Sequence, residues 1–223
     1  MAGREARRLA RERGSVVRRG LLLNYATAGY NSLEALIALG AGIAAGSVAL
    51  VGFGFDSVIE LTASGAAIWR LHADADVTRR ERNERITLRI VGALFLALAL
   101  YVAVDAVRSL VGREAPDESL VGLVLAAASL VVMPLLVRAK RRVARAMGSG
   151  ALAAEAQQTM ICTYLSAILL GGLGLNAAFG WWWADPLAAL AMVPLIAYEG
   201  VEALRGRDAC GDDCAQGLGE GTG

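Results

Sequence analysis

The chain has 223 residues, of which 56% are hydrophobic even before its 26 glycines are counted, whereas a soluble domain has about 45–50% with glycine included. Its 22 basic and 21 acidic residues cancel to a net charge of +1, and they occur in blocks that leave long uncharged runs between them. This composition argues against a water-soluble fold, and the placement of the basic blocks around apolar runs argues against nucleic-acid binding.

Six apolar segments predict six membrane-spanning helices. An arginine-rich cytoplasmic arm is predicted over residues 1–19, and a flexible cytoplasmic tail over residues 206–223. The helices between them are predicted over residues 20–45, 48–69, 90–110, 119–137, 151–179 and 185–204. Each has roughly the 20 residues that a helix needs to cross a ~30 Å hydrocarbon core. The predicted fold is an all-α integral membrane protein, a six-transmembrane-helix bundle over residues 20–205, with no room for a second folded domain.

Short turns and helix-start signals separate some of the predicted helices. A tight turn at Gly46 and Ser47 makes the first two helices a hairpin. The three consecutive tryptophans at 181–183 predict an interfacial aromatic belt,. Asp185 followed by Pro186 is typical of the N-cap and first-turn proline of a helix, which predicts the start of the sixth.

Arginine and lysine are divided very unevenly between the two sides of the predicted bundle. All but two of the 22 basic residues lie before the first helix, in the loops after helices two and four, or after helix six. Only Arg108 and Arg113 fall on the other side. The positive-inside rule therefore predicts that both termini are cytoplasmic. Lys140 is the only lysine, a bias that points to a GC-rich bacterial genome and hence to the inner (plasma) membrane of a bacterium.

Acidic residues inside the predicted spans are candidates for function, because a carboxylate in the bilayer core is costly. The second helix carries Asp56 and Glu60, which are four residues apart and therefore share one helix face. Glu199 and Glu202 lie at the inner end of the sixth helix near Arg205, and they are interpreted as interfacial.

The fifth predicted helix carries a second polar set. Glu155, Gln158 or Thr159, and Cys162 recur at helical spacing and share a face,.

The depth of each residue in the membrane core predicts which side chains of helices two and five lie at the same level. At about 1.5 Å per residue, Asp56 lies about 12 Å and Glu60 about 18 Å from the outer edge, while Gln158 lies about 10 Å and Cys162 about 16 Å from the inner edge. In a core ~30 Å thick, Asp56 is then level with Cys162, and Glu60 with Gln158. These four side chains are predicted to converge near mid-membrane.

Two carboxylates and an ionisable thiol suit a divalent cation, and four such ligands make a zinc-type tetrahedral shell. Calcium or magnesium would need six or more oxygen ligands. When the ion leaves, neighbouring buried acids should take up protons. The prediction is a Zn²⁺-type substrate with protons as the counter-ion, and no prosthetic group. The predicted metal ligands are Asp56, Glu60, Gln158 and Cys162, and the predicted accessory or proton-coupling residues are Glu34, Glu155, Asn31 and Thr159.

Structural roles remain open for several of these residues. Asp56 and Glu60 could bond to Asn31 or Glu34 of the first helix as a structural pair. Glu34 could orient the site or serve packing alone, and Cys162 could be a small buried hydrophobe.

Two further clusters lie outside the spans. His72, Asp74 and Asp76 are a candidate second metal site or a solvated loop. Cys210 and Cys214 are a candidate tail site for a soft ion, within a Gly-rich segment typical of disorder.

The pattern resembles the cation diffusion facilitator family of proton-coupled exporters of zinc and related ions. Asp56 and Glu60 resemble its helix-two motif D-x-x-x-D, with glutamate as the second acid. Gln158 and Cys162 fall on its helix-five motif, and residues 180–186 resemble its Gly-Trp-x-x-x-Asp-Pro turn. The resemblance covers residues 20–205, and it includes the small zinc-transporting branch related to a vertebrate synaptic-vesicle transmembrane protein. The family's cytoplasmic ferredoxin-like domain is not expected here, because only 19 residues follow Leu204.

The resemblance and the residues together predict a transporter of zinc, cobalt, cadmium, manganese or iron that exports its ion by proton antiport. The expected partners are metal ions, the lipid bilayer and a second copy bound through the membrane domain, without nucleic acid. A non-transporting regulatory or partner subunit of a metal transporter is the alternative. An enzyme is not expected, because no nucleophile, base and orienting group can be paired.

Overall fold

The computed structural model describes the backbone of residues 2–72, 77–114, 116–147 and 150–205, and within it the side chains of residues 18–65, 68, 86, 88–114, 116–146 and 155–205. The described backbone is helical, without a strand. The six helices are α1 (Ala2–Ala45), α2 (Val48–His72), α3 (Val77–Gly112), α4 (Leu120–Met147), α5 (Gly150–Phe179) and α6 (Ala184–Arg205). The predicted six-helix fold class is confirmed.

Three helices extend well beyond the predicted apolar segments. α1 begins at Ala2 and so includes most of the predicted arm, α3 begins at Val77, and α4 runs to Met147. The apolar runs identify only those segments of the helices that can lie in the hydrocarbon core of a membrane. Arginine and glutamate are good helix formers, so the same helices continue through the charged segments that follow or precede those runs.

Five of the six helices are long and apolar enough to span a membrane. The spans found within the described residues are Val48–Gly65, Leu88–Gly112, Leu120–Ala146, Glu155–Phe179 and Ala184–Arg205. α1 is not among them because one of its faces is polar. That face points into the protein, with Asn24, Thr27, Asn31 and Glu34 all buried, whereas several large apolar side chains of α1, such as Leu36, are exposed.

Helix pairing places α2 at the centre of the bundle. α1 packs mainly against α2, α4 against α5, and α3 against α6, while α2 also contacts α3, α5 and α6. The α1–α2 turn is the predicted one: Gly46 adopts a left-handed φ of 66°, and the Ser47 amide donates to the Gly42 carbonyl at 3.0 Å. The core between the helices contains fully buried apolar side chains, among them Phe53, Leu165 and Met192.

The prediction that Asp185 caps its own helix was wrong. Asp185 lies in the first turn of α6, and its carboxylate accepts hydrogen bonds from the Val48 amide at 2.9 Å and the Ala49 amide at 3.4 Å. It also accepts from the Ser47 hydroxyl at 2.5 Å. These are the amides that a helix start leaves without an intrahelical acceptor, so the α6 carboxylate caps α2 and holds the two helix ends together.

Candidate metal-transport site

The two acids of α2 face the interior of the bundle. Asp56 is 5% exposed and Glu60 is 3% exposed, while Phe55, just before Asp56, and Val58, between the two acids, are exposed at 41% and 37%. The four-residue spacing therefore places both carboxyl groups on the face of α2 that the other helices cover.

Cys162 of α5 lies beside both acids. Its side chain is 1% exposed, and the thiol lies within short electrostatic range of the Asp56 and Glu60 carboxyl groups. α2 and α5 thus bring together three of the four residues that the sequence predicts as ligands.

The fourth predicted ligand is not the partner of Glu60. The depth estimate pairs Glu60 with Gln158, whereas in the structure the Thr159 hydroxyl donates to Glu60 Oε1 at 2.8 Å. Glu60 Oε2 and Gln158 Nε2 are both buried without a hydrogen-bond partner. The site therefore contains one buried acceptor atom and one buried donor atom whose hydrogen-bonding capacity is unused.

Glu34 connects three helices next to the site. Its Oε2 accepts from the Ser57 hydroxyl of α2 at 2.8 Å, and its Oε1 accepts a short hydrogen bond from the Ser129 hydroxyl of α4. Tyr30 Oη lies 2.7 Å from the same Ser129 oxygen. Ser57 follows Asp56 directly, so Glu34 positions the segment of α2 that carries the acids. The side-chain amide of Asn31 is buried and makes no hydrogen bond, so the alternative of Asn31 bonded to the α2 acids is not found.

Two charged residues of the site were missed from the sequence. Lys140 of α4, placed in a basic loop by the apolar pattern, is 1% exposed, with Nζ 3.2 Å from Thr159 Oγ1 and 3.9 Å from the Glu155 carboxylate. Glu199 of α6, interpreted as interfacial, is half-buried and lies within electrostatic range of Asp56 and Glu60. Glu202, by contrast, pairs with Arg205 at 3.7 Å at the end of α6.

A signal for Lys140 exists in the sequence of α4. Buried residues recur along this helix at intervals of three and four, namely Ala126, Ser129, Met133, Val137, Lys140 and Ala144. This is the spacing of one helix face. Continuing the apolar stripe past the end of the uncharged run would have placed the lysine on the buried side.

No ready-made metal cluster is present in the described part of the chain: no three His, Cys, Asp or Glu side chains there are arranged to hold an ion. An ion bound between α2 and α5 would therefore require these side chains to move closer together. The other two predicted clusters lie outside the described residues. They are the loop cluster, formed by Asp74, Asp76 and the side chain of His72, and the tail pair Cys210 and Cys214.

Chemically, the site is a buried acidic cluster with one thiol and one ammonium, enclosed by apolar helices. Acids in such surroundings are retained where they pair with a cation, bind protons or line an ion pathway. Comparison with known proteins agrees with this chemistry, because the family described as the cation efflux transmembrane domain matches residues 25–206.

The chain belongs to the cation efflux family. The match includes every residue of the site described above, from Tyr30 of α1 to Glu199 of α6. Members of this family are transporters of divalent metal cations, and the apolar helices make the protein a multi-pass membrane protein.

One curated relative is a protein of the cyanobacterium Synechocystis sp. that is named an uncharacterized transporter. It is 27% identical over 173 residues, which cover 75% of this chain and 56% of the relative. The aligned part of this chain thus spans little more than half of that relative's length.

Proposed function

We propose that this cation efflux protein exports a divalent metal ion, with zinc favoured, in exchange for protons. The observation that carries the proposal is the buried pair Asp56 and Glu60, one helical turn apart, with the buried Cys162 thiol of α5 within electrostatic range of both. Two carboxylates and a thiolate match the ligands and the charge that zinc prefers. Cobalt, cadmium, manganese and iron are the other candidate ions, and the inner membrane of a bacterium is the proposed location.

The spare polar atoms support a ligand shell that forms around the ion. Glu60 Oε2 and Gln158 Nε2 have no hydrogen-bond partner, and a flip of the Gln158 amide would present its oxygen instead. A small approach of α5 to α2 would add this oxygen to Asp56, Glu60 and Cys162. Since metal binding requires a deprotonated thiol and deprotonated carboxyl groups, release of the ion and uptake of protons are coupled at the same atoms.

The test is transport in proteoliposomes that contain a pH-sensitive dye. Zinc, cobalt, manganese, cadmium and iron are supplied with and without a pH gradient, and metal-dependent proton flux is expected for the wild-type protein. Asp56→Ala should reduce this flux to the level of empty liposomes. Asp105→Ala removes an acid of α3 whose carboxylate accepts from Tyr101 at 3.4 Å instead, and it should retain the flux.

Undiminished flux in Asp56→Ala would show that the ion does not pass this site. A wild-type protein that neither transports nor binds any of these ions, yet co-purifies with a complete metal transporter, would favour the alternative of a regulatory or partner subunit.

A further inference from the structure

The site contains a cation of its own, the ammonium of Lys140. Ten arginine side chains are described in the structure, and all ten are exposed, whereas Lys140 is 1% exposed. Lys140 is therefore the one buried basic side chain in the described part of the protein. A buried ammonium in a membrane helix is costly unless acids surround it, so its location requires an explanation.

Thr159 connects this ammonium to the proposed metal site. The Thr159 hydroxyl accepts from Lys140 Nζ at 3.2 Å, and its one proton faces both Glu60 Oε1 at 2.8 Å and the Glu155 carbonyl oxygen at 2.9 Å. Lys140 Nζ also lies 3.9 Å from the Glu155 carboxylate. One hydroxyl group thus separates the ammonium from a proposed zinc ligand, and the two charges interact strongly at such a distance in a medium of low dielectric constant.

The side chain of Lys140 can move without a change of fold. Lysine carries its charge on a flexible four-carbon stem with three donors. Within the described part of the chain, Nζ approaches one carboxylate, that of Glu155 at 3.9 Å, and the nearer of its two partners is the neutral Thr159 hydroxyl at 3.2 Å. The ammonium is therefore held near the acids without being locked into a bidentate pair.

We propose that Lys140 is a tethered counter-cation: its ammonium stabilises the acidic site while the site is empty, and it withdraws when a divalent ion binds. This inference rests on the proposed function. A divalent ion can displace the ammonium because it carries twice the charge, whereas sodium or potassium carries no more charge than the lysine that it would have to replace. The lysine thereby lowers metal affinity, assists release of the ion and favours divalent over monovalent cations.

Isothermal titration of the purified full-length protein with zinc chloride tests the inference. Lys140→Gln removes the competing charge, so zinc should bind roughly ten- to a hundredfold more tightly than to the wild-type protein. Turnover in proteoliposomes at saturating zinc should fall at the same time, because release of the ion loses its replacement cation. Lys140→Arg keeps a positive charge, and it should restore an affinity close to the wild-type value.

Arg145→Gln is the matched control, since it removes a positive charge from the same helix at an exposed position where Nε donates to the Arg141 carbonyl. It should leave both zinc affinity and turnover unchanged. If Lys140→Gln does not fold, Lys140→Met, which fills the same space with an apolar chain, is measured instead.

Unchanged or weaker zinc binding in Lys140→Gln or Lys140→Met, beside wild-type binding that is readily measured, would overturn this inference and leave the proposed function intact. A wild-type protein that binds no divalent ion would overturn both.

Discussion

Glu34 and Glu60 are both buried acids of the same site, but their hydrogen bonding differs. Both oxygens of Glu34 accept from hydroxyl groups, those of Ser57 and Ser129. Glu60 has one oxygen bonded to Thr159 and the other without a partner. A carboxylate whose oxygens are occupied holds helices in place, whereas one with an unpaired oxygen is available to a ligand. Of the two roles open for Glu34 from the sequence, these contacts favour positioning.

Asp185 provides a prediction for a single side chain. Asp185→Ala leaves the Val48 and Ala49 amides and the Ser47 hydroxyl without their acceptor, and we expect a loss of about 1–3 kcal/mol of stability. Thermal unfolding in detergent, followed by circular dichroism, should show a lower Tm.

Asp117→Ala is the control for this variant, because Asp117 is exposed and its bond to the Ala45 carbonyl comes from the backbone amide. Equal Tm values for the two variants would mean that the interhelical cap contributes nothing to stability.

At the level of the helix, α1 reverses the usual arrangement of a soluble amphipathic helix. Its polar residues 24, 27, 31 and 34 are buried, whereas Leu22, Leu33 and Leu36 are exposed, as expected where lipid surrounds the bundle. The side-chain amides of Asn24 and Asn31 make no hydrogen bond within the described protein. Buried amides ordinarily have partners, so the inward face of α1 is an unusual polar strip, and Glu34 lies on it.

Close packing of α5 on α6 gives a prediction for a helix pair. A Cβ atom at Gly172 would lie 2.5 Å from Ala188 Cβ and 3.2 Å from the Ala184 carbonyl, whereas one at Gly171 would meet nothing within 4 Å. Gly172→Val should therefore separate the two helices and destabilise the protein by about 1–3 kcal/mol.

The neighbouring variant Gly171→Val has the same change of residue type without the clash, so it should unfold near the wild-type temperature. Thermal unfolding of the pair in detergent measures the difference. Equal destabilisation by both variants would point to helix propensity rather than to the α5–α6 contact.

For the whole molecule, the distribution of positive charge predicts the orientation in the membrane. With all but two of the 22 basic residues on one side, both termini should be cytoplasmic. Alkaline phosphatase fused after Arg205 should be inactive, and the same reporter fused after Arg113, between α3 and α4, should be active. Green fluorescent protein at the two positions should give the reverse pattern, and activity of phosphatase at the later position would contradict the predicted topology.

The fold class follows from the sequence because it depends on local and additive properties. Uncharged runs of about 20 residues cross a bilayer as helices wherever they occur, and a spacing of four places Asp56 and Glu60 on one face whatever their neighbours are. The family resemblance likewise rests on residues close together in the chain, and it is confirmed over residues 25–206.

The sequence does not determine how each helix is rotated about its own axis, nor where the terminal group of a long side chain lies. Thr159 and Gln158 are adjacent in the chain but point about 100° apart around α5, so a small rotation decides which of them meets Glu60. Lys140 reaches the site through a side chain whose charge lies far from its own backbone, and Asp185 caps a helix that lies 137 residues earlier in the chain. Such contacts depend on the packing of all six helices together, which no local pattern contains.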